Sequence, residues 1–233
     1  SGETVGTVYR VVWTNTTTGT ATELSPNGVA LDEPATMTIA PDGSVAYIGN
    51  NPFTGFDDGK VQAIVRYTVD TNTTENFSRV VDYNIHMQNP TSMIYEPGAE
   101  THVYTANSVE NNLLRLGVSG DTEGIIENVT VNNVTLAGPT GMIYNTADSK
   151  IYLVNYDSDS IVKLTKVSST EWNAEDFTAQ LNGPEFTGLD RPSALAFNYN
   201  NTVLYIANSG SNQILENIKK DLKIDQIERG ISF

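Results

Sequence analysis

Apolar and polar residues alternate in short runs along most of the chain, and a period of two predicts β-strands. The runs recur four times in one order. They are PATMTIAPDGSVAYIGN from Pro34, PTSMIYEPGAETHVYTAN from Pro90, PTGMIYNTADSKIYLVN from Pro139 and PSALAFNYNNTVLYIAN from Pro192. A tyrosine follows each proline by 13 or 14 positions (Tyr47, Tyr104, Tyr152, Tyr205). An asparagine follows each tyrosine by three: Asn50, Asn107, Asn155, Asn208. Long apolar residues sit three positions after the proline (Met37, Met93, Met142, Leu195) and five after it (Ile39, Tyr95, Tyr144, Phe197).

Turn chemistry separates the halves of each run: Pro41-Asp42-Gly43, Pro97-Gly98, Asn145 to Ser149, and Asn198 to Asn201. Each repeat therefore opens with a strand, a tight turn and a second strand. A third strand follows in VQAIVRYTV, NLLRLGV, SIVKLTKV and NQILENI, and a variable fourth in FSRVVDYNI or IIENVTVNNVTL. Four antiparallel strands in about 50 residues make one blade, and blades must stack to bury both faces. The apolar third and fifth positions are expected to pack between blades. The acidic run EWNAED around Trp172 reads as a loop.

The fold expectation is an all-β propeller of four-stranded antiparallel blades, about four to five of them present. Residues 1–33 read as a half-blade, 34–89, 90–138 and 139–191 as complete blades, and 192–233 as a last blade plus tail, in one domain. Such a count fits a compact five-blade ring closed by mixed strands, or a piece of a larger propeller or longer chain.

The tetrads YIGN, YTAN, YLVN and YIAN, each after a proline-led strand, resemble the YVTN/NHL group of β-propellers. The stretch PNGVALDEPATMTIAPDGSVAYIGN is also similar to strictosidine-synthase and SMP-30-like propellers. The resemblance covers roughly residues 27–218. It implies the propeller fold; for function it implies a group of lyases, lactonases, adhesins and surface-layer proteins, and fold alone does not choose among them.

Charge narrows the partners. The formal charge of −15 argues against nucleic acid and against docking on anionic lipid. Apolar runs reach five or six residues, far short of the roughly 20 that a membrane helix needs, so no membrane insertion is expected. No charged-then-apolar signal segment opens the chain, so Ser1 reads as a processed terminus or an arbitrary boundary. Cysteine is absent, which removes disulfides and thiolate chemistry. The abundance of Asn, Thr and Ser points to an extracellular or cell-surface protein carrying N-linked glycans. Sequons stand at Asn15, Asn72, Asn76, Asn128, Asn133 and Asn200.

Candidate chemistry is sparse. The two histidines, His86 and His102, cannot make a three-histidine zinc site. Asn50, Asn107, Asn155 and Asn208 end their second strands on the face where each blade begins. With Glu33 they could hold Ca2+ there, or each could cap a turn or adopt a left-handed conformation. Asp157 and Asp159, and Asp57-Asp58-Gly59, resemble alternating cation ligands without a full calcium loop, and read as solvated loops. Trp172 is a candidate for glycan or partner contact and Trp13 for packing. No nucleophile elbow, phosphate loop or dinucleotide fingerprint is present.

The sequence thus favours a non-enzymatic surface glycoprotein acting as scaffold, adhesin or fibre subunit. Partners would be other proteins, or copies of itself paired through the terminal strands (Thr7 to Thr14 and Leu222 to Phe233). The alternatives are a divalent-cation-dependent propeller hydrolase, lactonase or lyase, and a glycan-binding propeller.

Overall fold

The computed structural model describes residues 7–24, 27–28, 31, 34–50, 64–78, 85, 87, 89–96, 101–181 and 188–218. Two compact halves divide the chain, Ser1–Asn128 and Val129–Phe233.

In the N-terminal half, β1 (Val8–Trp13) and β2 (Gly19–Leu24) form an antiparallel hairpin. Its turn is shaped by Asn15, whose Oδ1 accepts from the backbone N–H of Thr17 (2.9 Å) and Thr18 (2.8 Å). The two-residue strand β3 (Asn27–Gly28) pairs parallel with the fourth strand of the first repeat. That repeat comprises β4 (Pro34–Ile39), β5 (Val45–Asn50), β6 (Ile64–Thr68) and β7 (Thr73–Asn76), each antiparallel to the next. Its fourth strand lies earlier than FSRVVDYNI. The turn through Asn72, at φ 51°, brings the chain back at once, and Phe77 and Ser78 already lie beyond the strand. The second repeat comprises β8 (Pro90–Tyr95), β9 (His102–Asn107), β10 (Asn112–Gly117) and β11 (Ile126–Asn132).

In the C-terminal half, the end of β11 pairs parallel with the last strand of the third repeat. The third repeat comprises β12 (Pro139–Asn145), β13 (Lys150–Asn155), β14 (Ser160–Lys166) and β15 (Glu171–Asp176). The segment EWNAED is therefore a strand and not a loop, and Trp172 is buried on it at 3% exposure. Its two-residue alternation, with Trp172 and Ala174 inward, was masked in sequence by the acidic residues that face outward. The fourth repeat comprises β16 (Pro192–Phe197), β17 (Val203–Asn208) and β18 (Gln213–Ile218).

Packing follows the expected rule inside each half. Met93 and Tyr95 join Tyr47, Ile64 and Phe77 in one core, and Tyr47 lies 5.2 Å from Phe77 and 6.1 Å from Tyr95 between ring centroids. Leu195 and Phe197 join Tyr152 and Ile161 in another, where Tyr152 meets Phe177 at 5.0 Å and Phe197 at 5.2 Å, both edge-on. The second-strand tyrosine of one repeat thus meets the fifth-position residue of the next. In the first repeat the rule fails, because Met37 and Ile39 are 52% and 54% exposed. Their face is covered only in part, by the cluster of Leu31, Ala46, Ile48, Val65 and Tyr67 with Val8 packed against it.

Candidate functional site

The recurring proline and asparagine face each other. Pro34 pairs with Asn50, Pro90 with Asn107, Pro139 with Asn155 and Pro192 with Asn208. A register shift follows each proline, the position at which a residue without an N–H drops out of the ladder. Asn155 Oδ1 accepts from Ala137 N–H (2.8 Å) and Asn208 Oδ1 accepts from Asp190 N–H (2.8 Å). Both donors lie two residues before the proline. The amide nitrogens donate back to the same lead-in loops, Asn155 to the Thr135 carbonyl (3.1 Å) and Asn208 to the Gly188 carbonyl (3.4 Å). Asn155 and Asn208 are thus latches that tie the start of the third and fourth repeats to the end of their second strands.

The backbone completes the latch. The residue after the asparagine donates to the carbonyl of the residue before the proline: Ser108 to Asn89 (3.3 Å), Tyr156 to Gly138 (3.1 Å) and Ser209 to Arg191 (3.2 Å). The acceptor residue has positive φ every time, at 57° for Asn89, 56° for Gly138 and 47° for Arg191. A second positive φ stands just before the third strand of the second, third and fourth repeats, at Asn111 (55°), Asp159 (49°) and Asn212 (54°). Asparagine and glycine tolerate this region at little cost. Aspartate shares that tolerance, whereas Arg191 does not, and strain of this kind costs about 1–3 kcal/mol.

These two residues meet. Arg191 N–H donates to Asp159 Oδ1 at 2.6 Å, which joins the second-to-third-strand turn of the third repeat to the lead-in loop of the fourth. Asp190 Oδ1 lies 3.5 Å from Arg191 Nε, and the Ser209 hydroxyl donates to the Arg191 carbonyl. The Asp190 carboxylate lies across Gly210, and Asp157 lies across Gly138, where a Cβ would come 2.5 Å from Asp157 Oδ2. Asp157, Asp159, Asp190 and Arg191 are all exposed. The result is a solvent-facing group of carboxylates with one guanidinium, at the end of the repeats where the asparagine latches lie. A carboxylate there can take a proton from water, and a guanidinium can stabilise a developing oxyanion.

The sequence-derived residues fall as follows. Asn50 is buried at 5% exposure and Asn107 at 0%, with Asn107 Nδ2 donating to Asn112 Oδ1 at 2.8 Å. Asn155 and Asn208 have turned their amide oxygens onto backbone N–H groups, so divalent-cation binding gains no support from those two. Among the described residues no group of three or more Asp, Glu, His or Cys could hold a metal. Glu33, His86 and Asp57-Asp58-Gly59 lie outside the described residues, as do the Trp13 side chain and the Leu222 to Phe233 tail. His102 Nδ1 lies 3.1 Å from Glu96 Oε2 and 2.7 Å from Thr101 Oγ1. Burial, then the charge of Arg115, holds its pKa below the usual histidine value. Trp172 is a core residue, which corrects its reading as a glycan contact. Asn15, Asn76, Asn128, Asn133 and Asn200 are exposed, while Asn72 is half-buried and accepts from the Tyr67 hydroxyl at 3.1 Å.

Sequence reasoning passed over Asp190 and Arg191 because both read as ordinary charged loop residues. Their one signal was positional. The residue before the motif proline is Glu33, Asn89, Gly138 and Arg191 in turn, and arginine is the one cation in that series.

No protein-family model matches the sequence, and no curated protein matches it. Solved structures do. A 6-phosphogluconolactonase-like protein of Bacteroides uniformis has a TM-score of 0.62 at 17% identity, covering 93% of this chain and 64% of its own. The periplasmic gluconolactonase of Pseudomonas aeruginosa has a TM-score of 0.60 at 14% identity, covering 96% and 63%. Virginiamycin B lyase of Staphylococcus aureus has a TM-score of 0.57 at 17% identity, covering 94% and 64%. The chain spans less than two-thirds of the length of each. Two of the three are lactonase or lactonase-like and the third is a lyase, and this overturns the expectation of a non-enzymatic scaffold, adhesin or fibre subunit. At these identities the likeness establishes the fold, which is all-β and propeller-like.

Proposed function

We propose that the chain carries part of a propeller enzyme that hydrolyses a lactone, with Asp190 and Arg191 as its working pair and Asp159 as the residue that positions Arg191. The observation that carries this reading is the hydrogen-bonded pair Asp159–Arg191, both at positive φ, where the described matching positions of the second repeat hold Asn111 and Asn89. The lactonases among the similar structures support the substrate class.

In this reading Arg191 polarises the ring carbonyl of the lactone. Asp190, beside it, takes a proton from water as the water oxygen attacks the carbonyl carbon. The tetrahedral oxyanion is stabilised by the guanidinium. The ring C–O bond then breaks, and the departing alkoxide recovers the proton from Asp190. The products are a hydroxyl and a carboxylate, so each turnover releases one net proton to bulk water at neutral pH.

That proton gives the assay. Titration at constant pH with glucono-lactone should show hydrolysis above the buffer rate. Asp190→Asn should lower it by about 10²–10⁴-fold, the usual contribution of a positioned base. Equal rates for variant and parent, or no rate above buffer, would remove the proposal.

We also infer that the protein works outside the cytoplasm and carries N-linked glycans. The exposed sequons at Asn15, Asn76, Asn128, Asn133 and Asn200 and the periplasmic location of one similar lactonase support this. The repeat is best read as of the YVTN/NHL kind, on its four Tyr-x-x-Asn tetrads. Protein from its native source should exceed 25.3 kDa and fall on deglycosylation. A mass unchanged by deglycosylation would contradict the glycan reading.

A further inference from the structure

Each half contains one seam between consecutive repeats, and the two seams match residue by residue. Tyr47, Arg66, Glu75 and Phe77 of the first repeat correspond to Tyr152, Lys163, Glu175 and Phe177 of the third. In both, the cation pairs with the glutamate and lies over the phenylalanine ring, Arg66 at 4.5 Å and Lys163 at 5.7 Å from the centroid. In both, the tyrosine meets that phenylalanine and the fifth-position residue of the next repeat.

The mouths of the seams differ. In the third repeat the turn between the first two strands closes on the tyrosine, whose hydroxyl donates to Asp148 Oδ2 at 2.7 Å, and Asn145 at the start of that turn is 0% exposed. The first repeat has the same spacing from proline to tyrosine, and there Asn145, Asp148 and Lys150 are replaced by Ala40, Gly43 and Val45. A Cβ on Gly43 would meet nothing within 4 Å. The fifth-position residue changes too, from Phe197 to Tyr95, which adds a second phenol. Truncation of the three polar side chains leaves a cleft of about 270 Å³, lined among others by Ala40, Asp42, Val45, Tyr47, Arg66 and Tyr95. It sits at the end of β4 and β5 remote from Pro34 and Asn50, and it shares no residue with the Asp190–Arg191 group.

The lining selects the occupant. Arg66 is bonded to Glu75 (2.6 Å) and Glu123 (2.5 Å), so its charge is already compensated. Asp42 adds a carboxylate, kept ionised by the Ser44 N–H (2.9 Å) and hydroxyl (2.7 Å) that its Oδ1 accepts. The surplus of carboxylates disfavours an anion, and the guanidinium disfavours a cation beside it. Burial, then the neighbouring Tyr95, pushes the Tyr47 pKa up to about 12, so this phenol keeps its proton and can donate. Phenol donor, carboxylate acceptor and aromatic surface together suit a molecule with hydroxyls on its rim and C–H groups on its face. The cleft is smaller than the roughly 300–1,000 Å³ of pockets for drug-sized ligands, which limits the occupant to about one ring. We propose that this cleft binds a single neutral pyranose, with Tyr95 against its C–H face and with the Tyr47 hydroxyl and the Asp42 carboxylate bonded to its hydroxyls.

The test is calorimetric titration of the full 233-residue chain with the methyl glycosides of glucose, galactose and mannose, and with glucuronate and glucosamine as charged counterparts. At least one methyl glycoside should bind saturably, with a Kd on the order of 1 mM for a ligand of this size, and more tightly than either charged sugar. Asp42→Asn/Tyr95→Phe should weaken it about tenfold or more. Phenylalanine is the residue the fourth repeat already uses at that position, and circular dichroism checks that the strands persist. Asp42→Asn alone, in an exposed turn, keeps the Oδ1 acceptor for Ser44 and should still weaken binding several-fold. Asp190→Asn should leave glycoside binding unchanged, which separates this cleft from the lactone site. The proposal is overturned if no neutral glycoside saturates, if only a charged sugar binds, if the Asp42 and Tyr95 variants bind as the parent does, or if Asp190→Asn abolishes binding.

Discussion

The lead-in loops of the second and fourth repeats do the same mechanical job with different residues. Each passes its carbonyl to the residue after the motif asparagine, and each holds positive φ just before the proline. The second repeat uses Asn89 there, with its amide donating to the Ser108 hydroxyl at 2.8 Å. The fourth uses Arg191, next to Asp190 and hydrogen-bonded to Asp159. Latching the repeat does not require arginine, since Asn89 and Gly138 manage it with less strain. What arginine adds is an exposed charge held at a fixed point among carboxylates. A costly residue at a position where cheaper ones work is the pattern of strain kept for function.

The largest expected difference between the two loops is in activity. Asp159→Ala removes the acceptor that holds the Arg191 backbone, and lactone hydrolysis should fall at least tenfold, seen mainly in kcat. Asn89→Ala, at the matching loop of the second repeat, should leave the rate within twofold. Equal losses from both would show that the loops act alike and would erase the contrast.

Next comes the latch itself. Asn208→Ala leaves the Asp190 N–H without its acceptor and removes the bond to Ser211 Oγ (2.7 Å). Denaturant unfolding should show a loss of about 1–2 kcal/mol, the cost of removing a part-buried hydrogen bond and leaving its donor without an acceptor. Asn155→Ala should cost a similar amount through the Ala137 N–H. A loss below about 0.5 kcal/mol in both would mean that the buried asparagines are not latches.

A smaller effect belongs to the second repeat alone. The native state holds the His102 pKa below its free value of 6.5, so the unfolded chain binds the proton more readily. Stability should therefore fall as pH drops through about 6.5 toward the depressed native value, and should be fully present above that window. His102→Gln should flatten this slope. A slope unchanged in the variant would assign it to other groups.

The fold was legible because its signals are local. Proline, tyrosine and asparagine spacing, the turn residues and the period-two alternation each specify geometry within a few residues. The fourth strands were less so. Thr73–Asn76 is four polar residues, and Glu171–Asp176 hides two inward apolar positions among acids. The motif asparagines could be placed from sequence at the correct end of the repeat, but not their partners, because a latch depends on which backbone N–H the loop presents. Asp159 was legible as a candidate and its role was not. Its partner Arg191 lies 32 residues away, and nothing in the periodicity reports that contact.

If Arg191 is retained for chemistry at the expense of stability, Arg191→Gly separates the two when unfolding and lactone hydrolysis are measured on the same preparation. Glycine relieves the positive φ, so the variant should be about 0.5–1 kcal/mol more stable while hydrolysis drops by about 10²-fold or more. A variant that hydrolyses lactone as fast as the parent, whatever its stability, would show that Arg191 has no part in the chemistry.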